Sequence, residues 1–506
     1  MPFAHAASKR HTGAHQLGTV RRAFFMATLE QYSQVIVSLA MIAVLSRLLD
    51  TTAIGIAVIG LGIGTIAFNI REFATSEYLI QRIDVSREDI RTAFTLMFGT
   101  SLLICCGLSA FAPWIAEFYS QPALKMFIII LAFSGVIDSS VSTIAALLKR
   151  DMQFGAMTRI NALGVITNAA VTVTLAWFDF GFMSYAWGTL VSALVRMVLA
   201  FHARPILWMY RPCLKGWRSF FVFGGYKGAS TVLDRTYEAL PQLVLGHFMP
   251  LTAVGLFNRA NLVCGLPDKF MLSALFSIAF PAFAAEVRQN RSVKEAYLRL
   301  ISYITALYWP AQLVLAILAY PIVHIALGPA WDGAVPLVQL LSLAAIFWFP
   351  NILTFPVLVA LGANREAFEA NFIGRGLAMV VICVASFYGL YALVFSQFIV
   401  LPFQMAISLI YVRRHVPFAW TEFAAILCNS ALVTFGAVIG PLGILAAHGF
   451  AFDLSIGLAL VATLLSAAGW LTALVLTKHP LLDEIIHMVE LFMPRLLANR
   501  PGVPAE

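Results

Sequence analysis

Apolar stretches long enough to cross a bilayer follow one another along nearly the whole chain, separated only by short breaks of charge, proline or glycine. About 20 such residues carry a helix through the hydrocarbon core. Reading the runs against the breaks predicts fourteen spans, near 22–48, 52–74, 91–118, 123–148, 155–178, 182–203, 218–247, 252–281, 299–326, 334–361, 365–388, 391–412, 423–447 and 454–477. With 60% of the residues hydrophobic and 11% charged, against about 25% charged in soluble domains, an ordinary soluble enzyme is excluded. No polar stretch is long enough for a large soluble appendage. The expected fold is an all-α polytopic membrane protein.

Charge placement supports the same map. The formal charge is +8, but the Lys and Arg residues are scattered among hydrophobic runs, as loop charges that set topology rather than as a nucleic-acid surface. Assigning alternate connections to the cytoplasm from the N-terminus puts 25 Lys and Arg inside, two outside (Arg47 and Lys125) and six within spans. Both termini are therefore expected in the cytoplasm. The basic start (Lys9, Arg10, Arg21, Arg22) leads into span one without a cleavage site and reads as uncleaved. External connections such as Asp179 to Gly181 and Gly389 to Leu390 are too short for an outer domain that could hold an active site. The six cysteines show no C-x-x-C spacing and no nearby histidine cluster, so neither a metal nor a cofactor is expected.

The predicted organisation is a cytoplasmic tail (1–21), an N-lobe of spans one to six (22–203), a cytoplasmic linker (204–217), a C-lobe of spans seven to twelve (218–412), two further spans (423–477) and an amphipathic cytoplasmic helix (480–498). In that last segment Leu482, Ile485, Ile486, Val489, Phe492 and Met493 share one face, and Asp483, Glu484, His487 and Glu490 the other. Its apolar face suits docking on the protein's own cytoplasmic side as well as on lipid. The two lobes are expected to be pseudo-symmetric. At an offset of 200 residues, Thr52-Ala53-Ile54-Gly55-Ile56 matches Thr252-Ala253-Val254-Gly255-Leu256, each opening an outward-to-inward span. Parallel halves of this kind imply a two-fold axis along the membrane normal and a substrate site between them.

Several short motifs resemble the bacterial polysaccharide transporter family, which includes O-antigen and exopolysaccharide flippases. They are Ser46-Arg47-Leu48-Leu49 followed by Ala53-x-Gly55, Leu79-Ile80-Gln81-Arg82, and Leu147-Leu148-Lys149-Arg150-Asp151-Met152-x-Phe154. The second half agrees, with Gly255-Leu256-Phe257-Asn258-Arg259-Ala260, Leu266-Pro267, Phe280-Pro281-Ala282 and Leu327-Gly328-Pro329-x-Trp331 in the family's order. The resemblance runs over roughly residues 20 to 415. It implies a two-lobed member of the multidrug/oligosaccharidyl-lipid/polysaccharide exporter superfamily, moving an undecaprenyl-diphosphate-linked oligosaccharide across the inner membrane. Relatives often carry an Asp late in span seven where this chain has Pro241, so no residue here inherits the cation-coupling role of that Asp. The implied partners are the lipid-linked oligosaccharide and membrane lipids, together with a polysaccharide polymerase and a chain-length regulator.

Ionisable groups at membrane depth are costly and point to function. Lys227, Thr231, Asp234 and Glu238 recur at helical spacing and fall within about 40° on one face of span seven. Glu30, Gln34 and Ser38 form a similar series on span one, opposite Ser230, Asp234 and Glu238 at the repeat offset. Both stripes fit a cavity-lining role and an equally ordinary one, hydrogen-bonding helices together. Asp234 and Glu238 are candidates for ion coupling, with Arg235 placed to neutralise Glu238. Lys227, Arg259 and Arg375 have no acid three or four residues away on their own helix, and are candidate ligands for a diphosphate. The alternative is that each locks onto Glu30, Asp138 or Asp268 of another helix. Arg196 is expected to snorkel to the headgroups. Gly224 and Gly225 would loosen the start of span seven and Pro267 would bend span eight, whereas Gly224 to Gly228 lacks the spacing of a phosphate loop.

Two other functions compete. A drug or small-cation extruder would be expected to have an acid-lined pocket, but six intramembrane bases (Arg196, Lys227, Arg235, Arg259, Lys269, Arg375) stand against five acids (Glu30, Asp138, Asp234, Glu238, Asp268). A polytopic glycosyltransferase or polymerase would need a sizeable outer loop. The topology is directly testable. Reporter fusions after Asp50, Asp179, Gly389 and His448 should report periplasm, and those after Arg87, Arg211 and Arg414 cytoplasm; an inverted signal after Arg211 alone breaks the two-half arrangement.

Overall fold

The computed structural model describes residues 33–74, 78–82, 84–272, 279, 283–289 and 291–492. Among them the regular elements are helical, and eleven helices are long and apolar enough to cross a membrane. The chain is a multi-pass membrane protein. We label the helices α1 (Ser33–Leu48), α2 (Thr51–Asn69), α3 (Arg87–Phe118), α4 (Leu124–Arg150), α5 (Phe154–Trp177), α6 (Met183–Ala203), α7 (Trp217–Phe248) and α8 (Leu251–Cys264). They continue as α9 (Val293–Ile317), α10 (Ala319–Ala326), α11 (Val335–Ala345), α12 (Asn351–Ala360), α13 (Asn364–Phe387), α14 (Leu390–His415), α15 (Trp420–Ala447), α16 (Ile456–Leu476) and α17 (Leu481–Phe492). Their starts carry local signals. Asp50 caps α2 by accepting from the Ala53 amide at 2.8 Å, and Ser86 and Asp89 form a reciprocal capping box on α3.

The chain forms two compact units, residues 1–258 and 259–506. In the first, α3 packs on α4, α5 on α6, α4 on α6, and α2 on α7. Small residues set these contacts, as expected where lipid supplies no hydrophobic drive between helices. A Cβ at Gly60 or Gly64 would come within 2.4 Å of Phe127 or Leu131 on α4, whereas Gly62 faces Leu243 of α7. The glycine series of span two therefore serves two neighbours on opposite sides.

The repeat becomes a physical contact at the start of α2 and α8. The Oγ1 atoms of Thr52 and Thr252 lie 3.1 Å apart. A Cβ at Gly55 would sit 2.1 Å from the Leu251 carbonyl oxygen, and one at Gly255 would sit 2.2 Å from that of Thr51. Residue i meets residue i+200, and each glycine lies against the other helix's backbone, the relation a local two-fold axis produces.

In the second unit α9 packs on α11 and α15, α13 on α14, and α15 on α16. At the last of these, a Cβ at Gly469 would fall 2.1 Å from the Gly436 carbonyl oxygen. Span ten is broken rather than continuous: Pro329–Ala334, α11, Ile346–Trp348 and α12 follow in turn, with Pro350 and Pro356 interrupting the hydrogen-bond ladder. Of the amphipathic segment, Leu481 is buried in a cluster with Ala306, Val433, Ala473 and Leu474, against which Ile485 also packs, while Ile486 is exposed. Its start docks on the protein itself. Met493 and the residues after it lie outside the described part.

A buried histidine fastens that junction. The Leu481 amide donates to His479 Nδ1 at 3.2 Å, so the neutral ring carries its proton on Nε2 and donates it to Ser302 Oγ of α9 at 2.9 Å. Ser430 Oγ of α15 is 3.4 Å from the same nitrogen. Burial pushes the His479 pKa below its ordinary 6.5. A ring that is harder to protonate folded than unfolded contributes its full stability above that pH and loses it as the pH falls below. A spin label at position 487 should accordingly gain mobility between about pH 7 and pH 5, and should not do so when His479 is replaced by Gln. A flat response with His479 present rejects the latch.

Candidate functional site

Helix α7 holds the polar stripe read from the sequence. Thr231 and Asp234 are half-buried, whereas Arg235 and Glu238 are exposed and pair with each other, Nη1 to Oε2, at 2.8 Å. The charge of Glu238 is thus balanced within its own helix. Lys227 lies on the same helix. Gly224 is held by packing, since a Cβ there would sit 2.3 Å from the Phe73 carbonyl oxygen; Gly225 has open space around it. On α1, Gln34 is half-buried. Glu30 and the Phe280-Pro281-Ala282 motif lie outside the described residues.

In the second unit, Arg259 is 3% exposed and its guanidinium lies 5.5 Å from the ring centroid of Trp331, itself fully buried. Two of the family-like motifs meet in this contact. Gly328, at φ 100°, makes the turn that delivers Trp331. Arg375 is half-buried on α13, beside Gly374, whose carbonyl accepts from Gln404 Nε2 at 3.4 Å. Pro267 follows the end of α8 and precedes a π-helical turn, Asp268–Leu272, so span eight changes geometry where proline interrupts it.

The strongest ionic cluster was not legible from spacing. Asp138 of α4 takes two guanidinium groups, Arg71 Nη2 at 2.9 Å and Arg196 Nη2 at 3.1 Å, with side chains 16–29% exposed. Arg196 therefore turns inward instead of snorkelling. It crosses Gly164, where a Cβ would approach within 2.6 Å of its side chain. Asp138, one of the acids considered as a lock for Lys227, Arg259 or Arg375, is paired with these two arginines. Arg71 also donates to the Gly135 carbonyl at 3.4 Å. It sits on the 3-10 turn Ile70–Ala74 that follows α2, near the predicted end of its span, and reads in sequence as a loop charge.

The remaining motifs clasp helix ends and connections within the first unit. Arg150 donates to the carbonyls of Leu79, at 2.7 Å, and Arg82, joining the third motif to the second. Asp151 pairs with Arg204, and Met152 turns the chain at φ 55°. The linker 204–217 is fastened to the first turns of α3. Arg91 donates to Arg211 O at 2.9 Å and Pro212 O at 3.1 Å, Thr92 to Lys215 O at 3.0 Å, and Lys215 meets Glu88 at 2.8 Å.

Apolar helices long enough to cross a membrane, ion pairs between them and close glycine crossings define a polytopic helical membrane fold. Solved structures agree: "Lipid II flippase MurJ, inward closed conformation" superposes with a TM-score of 0.72 at 12% identity, covering 91% of this chain and 100% of that one. An inward-facing multidrug resistance MATE family transporter of the MOP superfamily superposes at 0.59 and 12% identity, covering 79% and 94%. These likenesses show the fold. Residues 44–336 match the family described as Polysaccharide biosynthesis protein, and the chain belongs to it. It is similar to the Lipopolysaccharide biosynthesis protein WzxC of Escherichia coli (strain K12), 24% identical over 313 residues, 61% of this chain and 63% of that protein. It is also similar to the Succinoglycan biosynthesis transport protein ExoT of Rhizobium meliloti (strain 1021), 23% identical over 332 residues, 65% and 66%. The chain thus spans less than two thirds of the length of these relatives.

The Asp138 cluster predicts an asymmetric response. Asp138→Asn leaves two like charges half-buried and should cost about 2 kcal/mol of stability, seen as a lower Tm in detergent. Arg71→Gln or Arg196→Gln should each cost less, because the other guanidinium still faces the carboxylate. An arginine variant less stable than Asp138→Asn contradicts this account.

Proposed function

We propose that this chain is a flippase, moving an undecaprenyl-diphosphate-linked oligosaccharide from the cytoplasmic to the periplasmic leaflet of the bacterial inner membrane, with both termini cytoplasmic. The observation that carries the reading is the match of residues 44–336 to a polysaccharide biosynthesis family in a chain with a transporter fold. The names of WzxC and ExoT and the flippase fold of MurJ support it. The product would pass to a polysaccharide polymerase acting with a chain-length regulator.

The path must carry at least two phosphate charges through a medium where an uncompensated ion is costly, so it has to supply cations. We assign that role to Lys227, Arg259 and Arg375. Arg259, covered by Trp331, joins the path only when that ring moves aside. Thr231, Asp234, Arg235, Glu238 and Gln34 would line the cavity, and the turn at Pro267 would supply flexibility. Alternating access would part the α2–α8 contact at Thr52 and Thr252, where small side chains leave little to unpack.

Deletion of the gene should abolish a surface or secreted polysaccharide and leave lipid-linked repeat units facing the cytoplasm. Restoring the gene with Lys227→Gln, Arg259→Gln or Arg375→Gln should give protein in the membrane but little or no export. Intact polysaccharide in the deletion strain together with raised drug sensitivity would move the assignment to an extruder. Normal export from Arg375→Gln would remove the cationic path.

A further inference from the structure

The ring that covers Arg259 hangs from a broken span. Trp331 sits in the 3-10 turn Pro329–Ala334, which leads directly into α11. Turn and helix make one arm, residues 329–345. At one end the arm joins Gly328, held at φ 100°. At the other it meets the turn Ile346–Trp348 and then Pro350 at the start of α12.

The break at Pro350 has its own clasp. In a continuous α-helix the Ile346 carbonyl would accept from the amide four residues on, and proline has no N–H to give. The indole Nε1 of Trp309, on α9, donates to that oxygen at 3.0 Å instead. The Trp309 ring also meets Phe349 edge-on, with centroids 5.6 Å apart, and Phe349 is buried. Just beyond the break, Thr354 Oγ1 donates to the Pro350 carbonyl at 2.9 Å and meets Ser408 of α14, which ties α12 to its neighbour.

The helix that carries the clasp is braced by the same device. Pro310, next to Trp309, deprives the Ala306 carbonyl of its amide donor, and Trp470 of α16 donates its indole N–H to that oxygen at 2.8 Å. Two prolines each free a carbonyl, and two tryptophans from neighbouring helices take them. Rotation of one side chain opens such a bond, whereas a backbone rung opens only when its helix unwinds. Gln339 Nε2 of α11 and Asn351 Nδ2 of α12, one on each side of the break, are shut off from solvent with no hydrogen-bond partner among the described residues. Unpaired buried donors raise the energy of this arrangement, which narrows the gap to one in which the arm has moved.

We propose that residues 329–345 form a gate that pivots at Ile346–Pro350 and carries Trp331 off Arg259, and that Trp309 is the positioning residue whose N–H holds the gate shut. Its purpose rests on the flippase reading above. Closed, the gate buries the Arg259 guanidinium under a ring 5.5 Å away; open, it presents that charge to the diphosphate.

Modification of Arg259 by phenylglyoxal, read by mass spectrometry on the purified full-length protein in lipid vesicles, reports the gate without any substrate. The unaltered protein should react slowly there. Trp309→Phe keeps a ring beside Phe349 but loses the N–H, and should react about five-fold faster, the shift that one ordinary hydrogen bond supports. Adding Pro350→Ala returns an amide for the Ile346 oxygen and should bring the rate back. Reaction at the exposed Arg365 should be the same throughout. Equal Arg259 rates in the unaltered and Trp309→Phe proteins overturn the proposal, as does a double variant as reactive as Trp309→Phe alone, or an equal rise at Arg365, which would mean general loosening. If Trp309→Phe does not accumulate, Pro350→Ala alone decides, and an Arg259 rate no lower than that of the unaltered protein overturns the gate. In cells, Pro350→Ala should cut export while the protein reaches the membrane. Arg259 rates that change as stated, beside intact polysaccharide in the deletion strain, would leave the gate standing and reject the flippase reading instead.

Discussion

Helix crossings in a bilayer are held by close backbone approach and hydrogen bonds, because surrounding lipid is as apolar as the side chains it contacts. Gly55 and Gly255 show what this demands. Each lies against a carbonyl of the other helix at a separation that leaves no room for a methyl group, and the two threonine hydroxyls beside them bond across the crossing. The same device recurs where Gly60 and Gly64 meet α4 and where Gly469 meets Gly436. These contacts set how near the helices stand. That spacing in turn decides which polar side chains find partners.

Ionic groups follow from this frame. Asp138 holds two arginines from different helices, and Arg259 is buried under Trp331. At the connections between helices the arginines turn to backbone carbonyls instead, as Arg150 does with Leu79 and Arg82 and Arg91 does with the linker. A guanidinium bonded to carbonyls keeps its charge while fixing a loop, so these contacts brace the connections between helices. The linker is consequently part of the first unit's surface, bound along much of its length to α3.

Most helices could be read directly from apolar run length. Segments 365–388 and 454–477 correspond to Asn364–Phe387 and Ile456–Leu476, because a charged or turn-forming break lies close to each end. Span ten, read at 334–361, corresponds to the apolar stretch Pro329–Ala360, but hydropathy is blind to the prolines that interrupt its helix. The two-fold contact was legible as the Thr-Ala-x-Gly repeat, and the Arg235–Glu238 pair as a three-residue spacing. The partners of Asp138 were not. Arg71 and Arg196 are 67 and 58 positions away from it, and no local pattern encodes which distant helix supplies a counter-charge. Asp268 is legible as an intramembrane acid, but the π-helical turn it opens and the packing of that turn against α9 are not.

The contact between Thr52 and Thr252 also bears on which positions can vary. A residue that meets its own equivalent lies on a local symmetry axis, the arrangement found at an isologous interface. In a single chain the two sides of such a crossing are separate positions and can differ, as Ile54 and Val254 or Ile56 and Leu256 do. Gly55 and Gly255 have no such latitude, because each lies against a backbone carbonyl of the other helix.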